Sequence, residues 1–433
     1  MEDPSMNTCN KEVKKEGTTA KSGNKNAKLL RLVEERALSM EKKKKQHGSL
    51  VPFVPQDCIS NILVRLPLDS LQKSRFVCKP WYTIINSPLF IDAHLRRSES
   101  VLIFLSSSKR ESLYPFPMES IPPEKPNTIS VEEKCLQTEC TPVFGLLNIS
   151  PNLKSYIQCL EINGGKSKIR EYNISCLGSI RATCNGLILL DNKLKKGLIV
   201  MNPVTRKLTA LPLGTLFSPH NESYGIALNS ATGEYKVIHL FRDELGFIGC
   251  EILILGTKLW RGANGPSFGH VSWFGYMPVS AIGALHWIPH VDRSDYIVSM
   301  DVNEEKFHTT PLPKSCRTHD RVVEMGGFLS FVTHEGVKQI DIWVLKGLSE
   351  SWTKQYCITK GCKMDMVPLF SLRIKGDMIF KRDKDGSLYA YDFQRQVMAK
   401  VEMEKGCFPL SCLFLPHVNS LVSWSNRERG QDA

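Results

Sequence analysis

The chain has 433 residues and a formal net charge of +12, and it contains no apolar window of about twenty residues, the length that a membrane-spanning helix needs. Its length allows one large domain beside a small one. Residues 1–50 hold twelve Lys/Arg and seven Asp/Glu, so the rest of the chain is only mildly basic. No basic stripe with interleaved aromatic residues is present, and the composition therefore argues against a nucleic-acid-binding surface.

Residues 1–49 are predicted to be a disordered basic tail. Residues 1–25 are rich in Lys, Asn, Thr and Ser and poor in apolar residues. Apolar residues spaced among charges allow a short helix over 27–46, and this segment ends in the run Lys42 to Lys45. The run is interpreted either as a solvated tail or as a nuclear import signal.

The fourteen cysteines are scattered, with no Cys-x-x-Cys pair and no histidine at zinc-finger spacing. The first twenty residues are polar and charged, which is not the pattern of a signal peptide. Reduced thiols are therefore expected, and the predicted compartment is the nucleus, the cytoplasm or both.

The stretch 54–97 carries more large apolar side chains than so short a piece can enclose. Prolines at 55, 67, 80 and 88 divide it into short helical runs, because proline suits a helix start and not a helix interior. In the first run, apolar residues occupy the i, i+3, i+4 and i+7 positions of one helical stripe, namely Ile59, Ile62, Leu63 and Leu66. The pattern predicts small helices with a surplus apolar face, which packs either on the rest of the chain or on a partner.

The runs VPQD, ILVRLPLDSL, SRFVCKPWYTII and SPLFIDAHL follow one another in the order of a plant F-box, and residues 50–98 resemble that family. Val54 stands where leucine is usual. The resemblance implies that the surplus face binds a Skp-family adaptor and, through it, the cullin and RING subunits of a ubiquitin ligase. The adaptor-binding residues that it implies are Val54, Pro55, Ile59, Ile62, Leu63, Leu66, Pro67, Leu71, Val77, Cys78 and Trp81.

After residue 98 the helical pattern gives way to short apolar segments that repeat. A polar turn after an apolar strand recurs at spacings of 54, 45, 45 and 46 residues, at Asn202, Gly256, Asp301, Lys346 and Asp392. A glycine before an apolar strand precedes four of these turns, at Gly186, Gly283, Gly327 and Gly376. A repeating unit of this length, with several strands and no helical period, is typical of a propeller blade.

The repeat predicts an all-β propeller over residues 99–424, with six blades or, as the alternative, seven, and a tail at 425–433. Extending the period backward places a further turn near 148–151. The ring is expected to close by pairing of the strand at 101–105 with Leu421-Val422. The predicted fold class is thus a small all-α F-box followed by an all-β propeller, an α+β multidomain chain.

The propeller region also resembles the plant F-box-associated domain. The matching runs are ATCNGLILL, NPVTRKLTALP, YGIALNSATGEYKVIHL, GALHWI, DIWVLKGLSESWTKQY and NSLVSW. That family is described as kelch-like, although the kelch double glycine occurs here only at Gly326-Gly327. The resemblance implies a domain that binds a client protein.

The sequence contains no catalytic, cofactor-binding or metal-binding constellation that we recognise. Gly164-Gly165-Lys166-Ser167 mimics the end of a phosphate loop, but Leu160 occupies the place of the first glycine, so the run is interpreted as a turn. His286 and four tryptophans (Trp260, Trp287, Trp343 and Trp352) are interpreted as packing residues. The predicted function is a non-catalytic ligase receptor for an unknown client, with a non-degradative binding scaffold or a propeller enzyme as alternatives.

Overall fold

The computed structural model describes residues 54–106, 155–176, 178–192, 197–212, 214–215, 222–242, 245, 247–257, 259–266, 277–289, 294–314, 317–336, 338–363, 365–403 and 414–424. The chain divides into a unit that ends at Ile59 and a unit that begins at Ser60. The predicted tails at 1–49 and 425–433, with the run Lys42 to Lys45, and the turn expected near 148–151 lie outside the described residues.

Four short helices come first, and each begins at or within one residue of one of the prolines that divide the stretch. They are α1 (Gln56–Leu63), α2 (Leu68–Ser74), α3 (Lys79–Asn86) and α4 (Pro88–Arg96). Proline is tolerated there because the first N–H groups of a helix have no intrahelical partner. The Ser87 hydroxyl caps α4 by accepting from the Phe90 N–H at 3.3 Å.

The rest of the described chain forms six four-stranded antiparallel sheets, which confirms the propeller and the favoured number of six blades. Blades 1 to 3 contain the following strands: β1 (Ser100–Ser106), β2 (Ser155–Asn163), β3 (Lys166–Cys176) and β24 (Leu415–Val418) in blade 1; β4 (Ile180–Cys184), β5 (Leu187–Asn192), β6 (Gly197–Asn202) and β7 (Lys207–Ala210) in blade 2; β8 (Glu222–Leu228), β9 (Tyr235–Arg242), β10 (Ile248–Ile254) and β11 (Arg261–Ala263) in blade 3.

Blades 4 to 6 continue the same order: β12 (Val279–Ala281), β13 (Ala284–Trp287), β14 (Tyr296–Asp301) and β15 (Phe307–Pro311) in blade 4; β16 (Arg321–Met325), β17 (Phe328–Glu335), β18 (Gln339–Leu345) and β19 (Thr353–Ile358) in blade 5; β20 (Met366–Ser371), β21 (Met378–Arg382), β22 (Leu388–Asp392) and β23 (Val397–Lys400) in blade 6.

The two predicted series of turns have a structural explanation. The polar turns join the third and fourth strands of a blade, where a short side chain can hydrogen-bond the backbone just ahead of it. The Asp392 carboxylate accepts from the Gln394 and Arg395 N–H groups at 2.8 and 2.9 Å. The glycines join the first and second strands with positive φ, 93° at Gly186 and 75° at Gly283. Both series are confirmed as turns of the repeating blade.

The ring closes through β1 and β24, which pair antiparallel from Ser100 opposite Val418 to Ile103 opposite Leu415. The predicted pairing with Leu421-Val422 was therefore wrong, although the expected N-terminal strand is the right one. Leu421 and Val422 are apolar because they are buried beyond the strand end, Val422 in the core cluster formed by blades 2 and 3. Residues that are buried beside a sheet and residues that are buried within it are both apolar, so the sequence pattern does not distinguish them.

The innermost strands of neighbouring blades contact one another around the axis, and β24 takes the innermost place in blade 1. Because the strands alternate in direction, the first-to-second and third-to-fourth connections of every blade lie on one face of the ring. We call this side the turn face. The other ends of the strands lie on the opposite face, which carries the described turn between β21 and β22.

The residues interpreted as packing groups do pack. His286 is buried, with Nδ1 2.7 Å from Ser299 Oγ and Nε2 3.1 Å from the Ala281 carbonyl oxygen. Burial lowers the pKa of His286 to about 4. The four tryptophans pack against buried clusters within and between blades. Gly164 and Gly165, both at positive φ, form the turn between β2 and β3.

Candidate functional site

The four helices bury one set of apolar side chains and expose another. The buried set consists of Leu63, Leu71, Ile84, Ile85, Phe90 and Leu95. Within residues 60–99, the exposed large apolar side chains are Ile62, Phe76, Val77, Tyr82 and Leu89, each between 56 and 88% exposed. We call these five residues the exposed apolar set. Hydrophobic side chains this accessible, close together in sequence, are typical of a surface that binds a partner.

The predicted adaptor-binding residues fall into three groups. Six are exposed, namely Val54, Pro55, Ile62, Pro67, Val77 and Cys78. Three are partly buried, namely Ile59, Leu66 and Trp81. Leu63 and Leu71 are completely buried, and in this structure they support the helices from inside.

Three residues of the exposed apolar set, Phe76, Tyr82 and Leu89, were not in the predicted adaptor-binding set. A helical period around α3 would have indicated Tyr82, because residues two apart in a helix point in roughly opposite directions and Ile84 is buried. Phe76 lies in the connection between α2 and α3, where no period applies. Its exposure could not be read from the sequence.

His94 joins α4 to the turn between α1 and α2. The ring is buried, with Nε2 3.4 Å from the Leu66 carbonyl oxygen and Nδ1 3.3 Å from Ser98 Oγ. Burial lowers the pKa of His94, so a neutral ring is favoured. The helices thus have a polar contact as well as an apolar core to set their arrangement.

The helices from Ser60 onward also pack on the propeller. On α4, Leu95 belongs to the same buried cluster as Leu187, Val200 and Val422, and Ile91 packs against it. The sequence pattern left open whether apolar residues of this stretch pack on the rest of the chain, and Leu95 and Ile91 do so.

Polar contacts reinforce this apolar contact at blade 2 and at other blades. Arg170 Nη1 on β3 donates to both carboxylate oxygens of Asp69 on α2, at 2.7 and 2.9 Å. Gln72 Nε2 donates to the Val204 carbonyl oxygen at 2.7 Å. Glu99 accepts from the Ile374 N–H at 3.3 Å. The helices therefore contact blades 1 and 2 at separate points, and Glu99, which follows α4, contacts blade 6.

The ionic state of Arg170 is favoured by its neighbours. Burial lowers the pKa of the guanidinium, but Glu161 and Asp69 outweigh that effect, and the net pKa is raised. Glu161 lies 3.0 Å from Arg170 Nε. Because the pair is about one-third exposed on the arginine side, its contribution to stability is modest, and its role is to specify geometry.

Other kinds of site are not found among the residues that the structure describes. No described helix is long and apolar enough to cross a membrane. No group of three or more His, Cys, Asp or Glu side chains is placed to hold a metal ion in the described part of the chain.

Small helices that expose apolar side chains, followed by a six-bladed propeller, define an F-box protein of the substrate-receptor type. A family model described as the F-box associated beta propeller domain matches residues 161–412, and a model of the F-box domain matches residues 54–92. The chain belongs to the F-box proteins with an F-box associated beta propeller domain. F-box domains in general bind Skp-type adaptors, and F-box proteins are generally non-catalytic.

Known relatives agree with this assignment. The chain is 23% identical over 391 residues to the F-box protein CPR1 of Arabidopsis thaliana, covering 81% of this chain and 83% of that protein. A second A. thaliana F-box protein is 26% identical over 365 residues, covering 74% of this chain and 76% of the relative. An F-box/kelch-repeat protein of the same plant is 25% identical over 312 residues, covering 70% and 78% respectively.

Proposed function

We propose that this protein is a non-catalytic substrate receptor of an SCF-type cullin-RING ubiquitin ligase. The F-box binds a Skp-family adaptor and thereby the cullin and RING subunits. The propeller binds a client protein, which is ubiquitinated and degraded. The proposed location is the nucleus, the cytoplasm or both.

The observation that carries this proposal is the exposed apolar set on the F-box helices. Covering one such side chain fully is worth about 1.5–3 kcal/mol, so five of them can offset a substantial part of the entropy cost of association. The buried residues Leu63 and Leu71 hold the helices that carry the set. A soluble partner that covers these side chains is the expected role of an F-box.

The mechanism is positioning. A client held on the propeller and a ubiquitin carrier held through the F-box belong to one assembly, so transfer occurs at a high effective concentration. None of the described residues needs to take part in the chemistry. The lysine of the client and the carrier thioester supply the reacting groups.

The test is affinity purification of the full chain from plant cells in which cullin activation is blocked, followed by mass spectrometry. We expect an adaptor, a cullin and a RING subunit, together with at least one protein whose half-life lengthens when the receptor is removed. Adaptor without any client of altered half-life would favour the non-degradative scaffold. Absence of all three ligase subunits would contradict the proposal.

A further inference from the structure

The F-box helices meet the propeller on its turn face. Val204 lies in the turn between the third and fourth strands of blade 2, and Ile374 lies in the turn between the first and second strands of blade 6. Arg170 lies in the first half of β3, which begins at the turn face. Arg170 and Val204 hold α2 from blades 1 and 2, and the contact with Ile374 of blade 6 is made by Glu99, which follows α4.

The contacts also differ in kind. Leu95 is 8% exposed and shares a buried cluster with blades 2 and 3. Sliding of α4 would expose that apolar surface to water. Both hydrogen bonds to Asp69 come from one nitrogen, Arg170 Nη1, and they hold that end of the guanidinium against the carboxylate of α2. The bond from Gln72 to a backbone carbonyl fixes the distance of α2 from blade 2. Together they resist sliding, rotation and separation.

We infer that Arg170, Gln72 and Leu95 are positioning residues that hold the adaptor-binding helices at one fixed orientation on the propeller. This inference rests on the proposed function. A fixed orientation of the helices holds a ubiquitin carrier, docked through the F-box, at one place relative to the propeller, so the carrier meets a restricted set of acceptor lysines. The helices occupy part of the turn face.

The first test measures the coupling itself in the full chain. Fluorophores placed through non-natural amino acids at the exposed positions 65 and 338 report the distance between the F-box and the opposite face by single-molecule energy transfer. The test variant is Arg170→Met with Gln72→Ala, which removes the two polar contacts of α2 with the propeller and leaves Leu95 in the core. The control is Arg96→Met, because Arg96 pairs with Asp92 on its own helix at 2.9 Å.

We expect a single narrow distribution for the wild-type chain and for the control. The test variant should give a distribution at least twice as wide, or a second population. An unchanged distribution in the test variant would overturn the inference. The measurement is made with and without the adaptor, so the coupling is tested even if the adaptor fails to bind, and that failure would count against the proposed function alone.

The second test follows the consequence for ubiquitin transfer. The full chain, bound to adaptor, cullin and RING subunit, is allowed to modify its own lysines, and the modified positions are mapped by mass spectrometry. The wild-type chain and Arg96→Met should share a restricted set of sites, and the test variant should add new ones while binding the adaptor with wild-type affinity. An identical set of sites in all three proteins would contradict the positioning role.

Discussion

The side-chain amide of Asn202 donates to the Val422 carbonyl oxygen at 2.8 Å, across 220 residues of the chain. The same nitrogen lies 3.1 Å from the Ser420 carbonyl oxygen, and Asn202 Oδ1 accepts from the Val204 N–H at 2.9 Å. The side chain is completely buried. Asn202 therefore both forms its own turn in blade 2 and ties down the segment that follows the closing strand.

This relationship predicts that Asn202→Asp is strongly destabilising. The carboxylate keeps the turn acceptor but loses both donor bonds and faces two carbonyl oxygens in a buried site, which should cost about 3 kcal/mol of unfolding free energy. The matched control is Asp392→Asn, at the equivalent turn of blade 6, where a change within about 0.5 kcal/mol is expected. Urea unfolding measures both, and equal losses would contradict the role of Asn202 in closure.

Gly186 and Gly283 occupy equivalent turns but have different surroundings. A methyl group at Gly283 meets no atom of the described residues within 4 Å, so Gly283→Ala should cost only the strain of positive φ, about 1–2 kcal/mol. A methyl group at Gly186 would overlap the Ser420 side chain, which donates to the Asn185 carbonyl oxygen at 2.6 Å. Gly186→Ala should lower the free energy of unfolding at least twice as much as Gly283→Ala does. Equal losses of unfolding free energy in the two variants, measured by urea unfolding, would show that the segment containing Ser420 moves aside at no cost.

Acid should destabilise the propeller through two buried histidines. Burial lowers the pKa of His286 to about 4 and that of His417 to about 3, whereas both titrate near 6.5 when unfolded. Below pH 6.5 the unfolded chain binds protons that the folded chain does not. The stability that each neutral histidine contributes is therefore fully present above pH 6.5. As the pH falls below 6.5, the free energy of unfolding decreases, for each histidine, by about 1.4 kcal/mol per pH unit until its folded pKa is reached.

His417 provides the variant for this test, because neither ring nitrogen has a hydrogen-bond partner among the described residues. His417→Leu should reduce the loss of melting temperature between pH 7.5 and pH 5, with the exposed His308→Leu as the control for removing a histidine. A loss as large in His417→Leu as in the wild-type chain would exclude His417 as a source of acid sensitivity.

Leu63 and Ile62 are neighbours on α1 with opposite environments. Leu63→Ala should lower the free energy of unfolding by about 2–4 kcal/mol, because a completely buried leucine leaves a cavity. Ile62→Ala, at a side chain that is 60% exposed, should change it by less than about 0.5 kcal/mol. Thermal unfolding of the free chain distinguishes the two residues, and a loss of stability in Ile62→Ala as large as in Leu63→Ala would contradict this division.

The repeat made the propeller predictable. Polar turn residues such as Asp392 and glycines such as Gly283 recur because every blade needs the same kinds of turn. The residues that a turn needs lie within a few positions of one another, so they can be recognised from the sequence. The proline positions predicted the helices for the same reason. The closing strand was misplaced because Leu421-Val422 is as apolar as a strand but is buried outside the sheet.

Contacts between distant parts of the chain could not be predicted from a local sequence pattern. Gln72 and Val204 are 132 residues apart, and nothing in either local sequence indicates that they meet. The apolar stripe on α1 predicted a surplus face but could not separate its buried member Leu63 from its exposed member Ile62. Both fit one helical period, and the distinction arises only from what packs beside them.

The most direct test of the receptor assignment is the affinity of the purified full chain for a Skp-family adaptor, measured by titration calorimetry. Ile62→Asp with Val77→Asp places two charges in the exposed apolar set and should weaken binding about 100-fold or more. Leu208→Asp and Val397→Asp, at exposed apolar positions on β7 and β23, should bind within about twofold of the wild-type chain, because neither side chain belongs to the exposed apolar set. Absence of wild-type binding, or wild-type affinity in the double variant, would contradict the account.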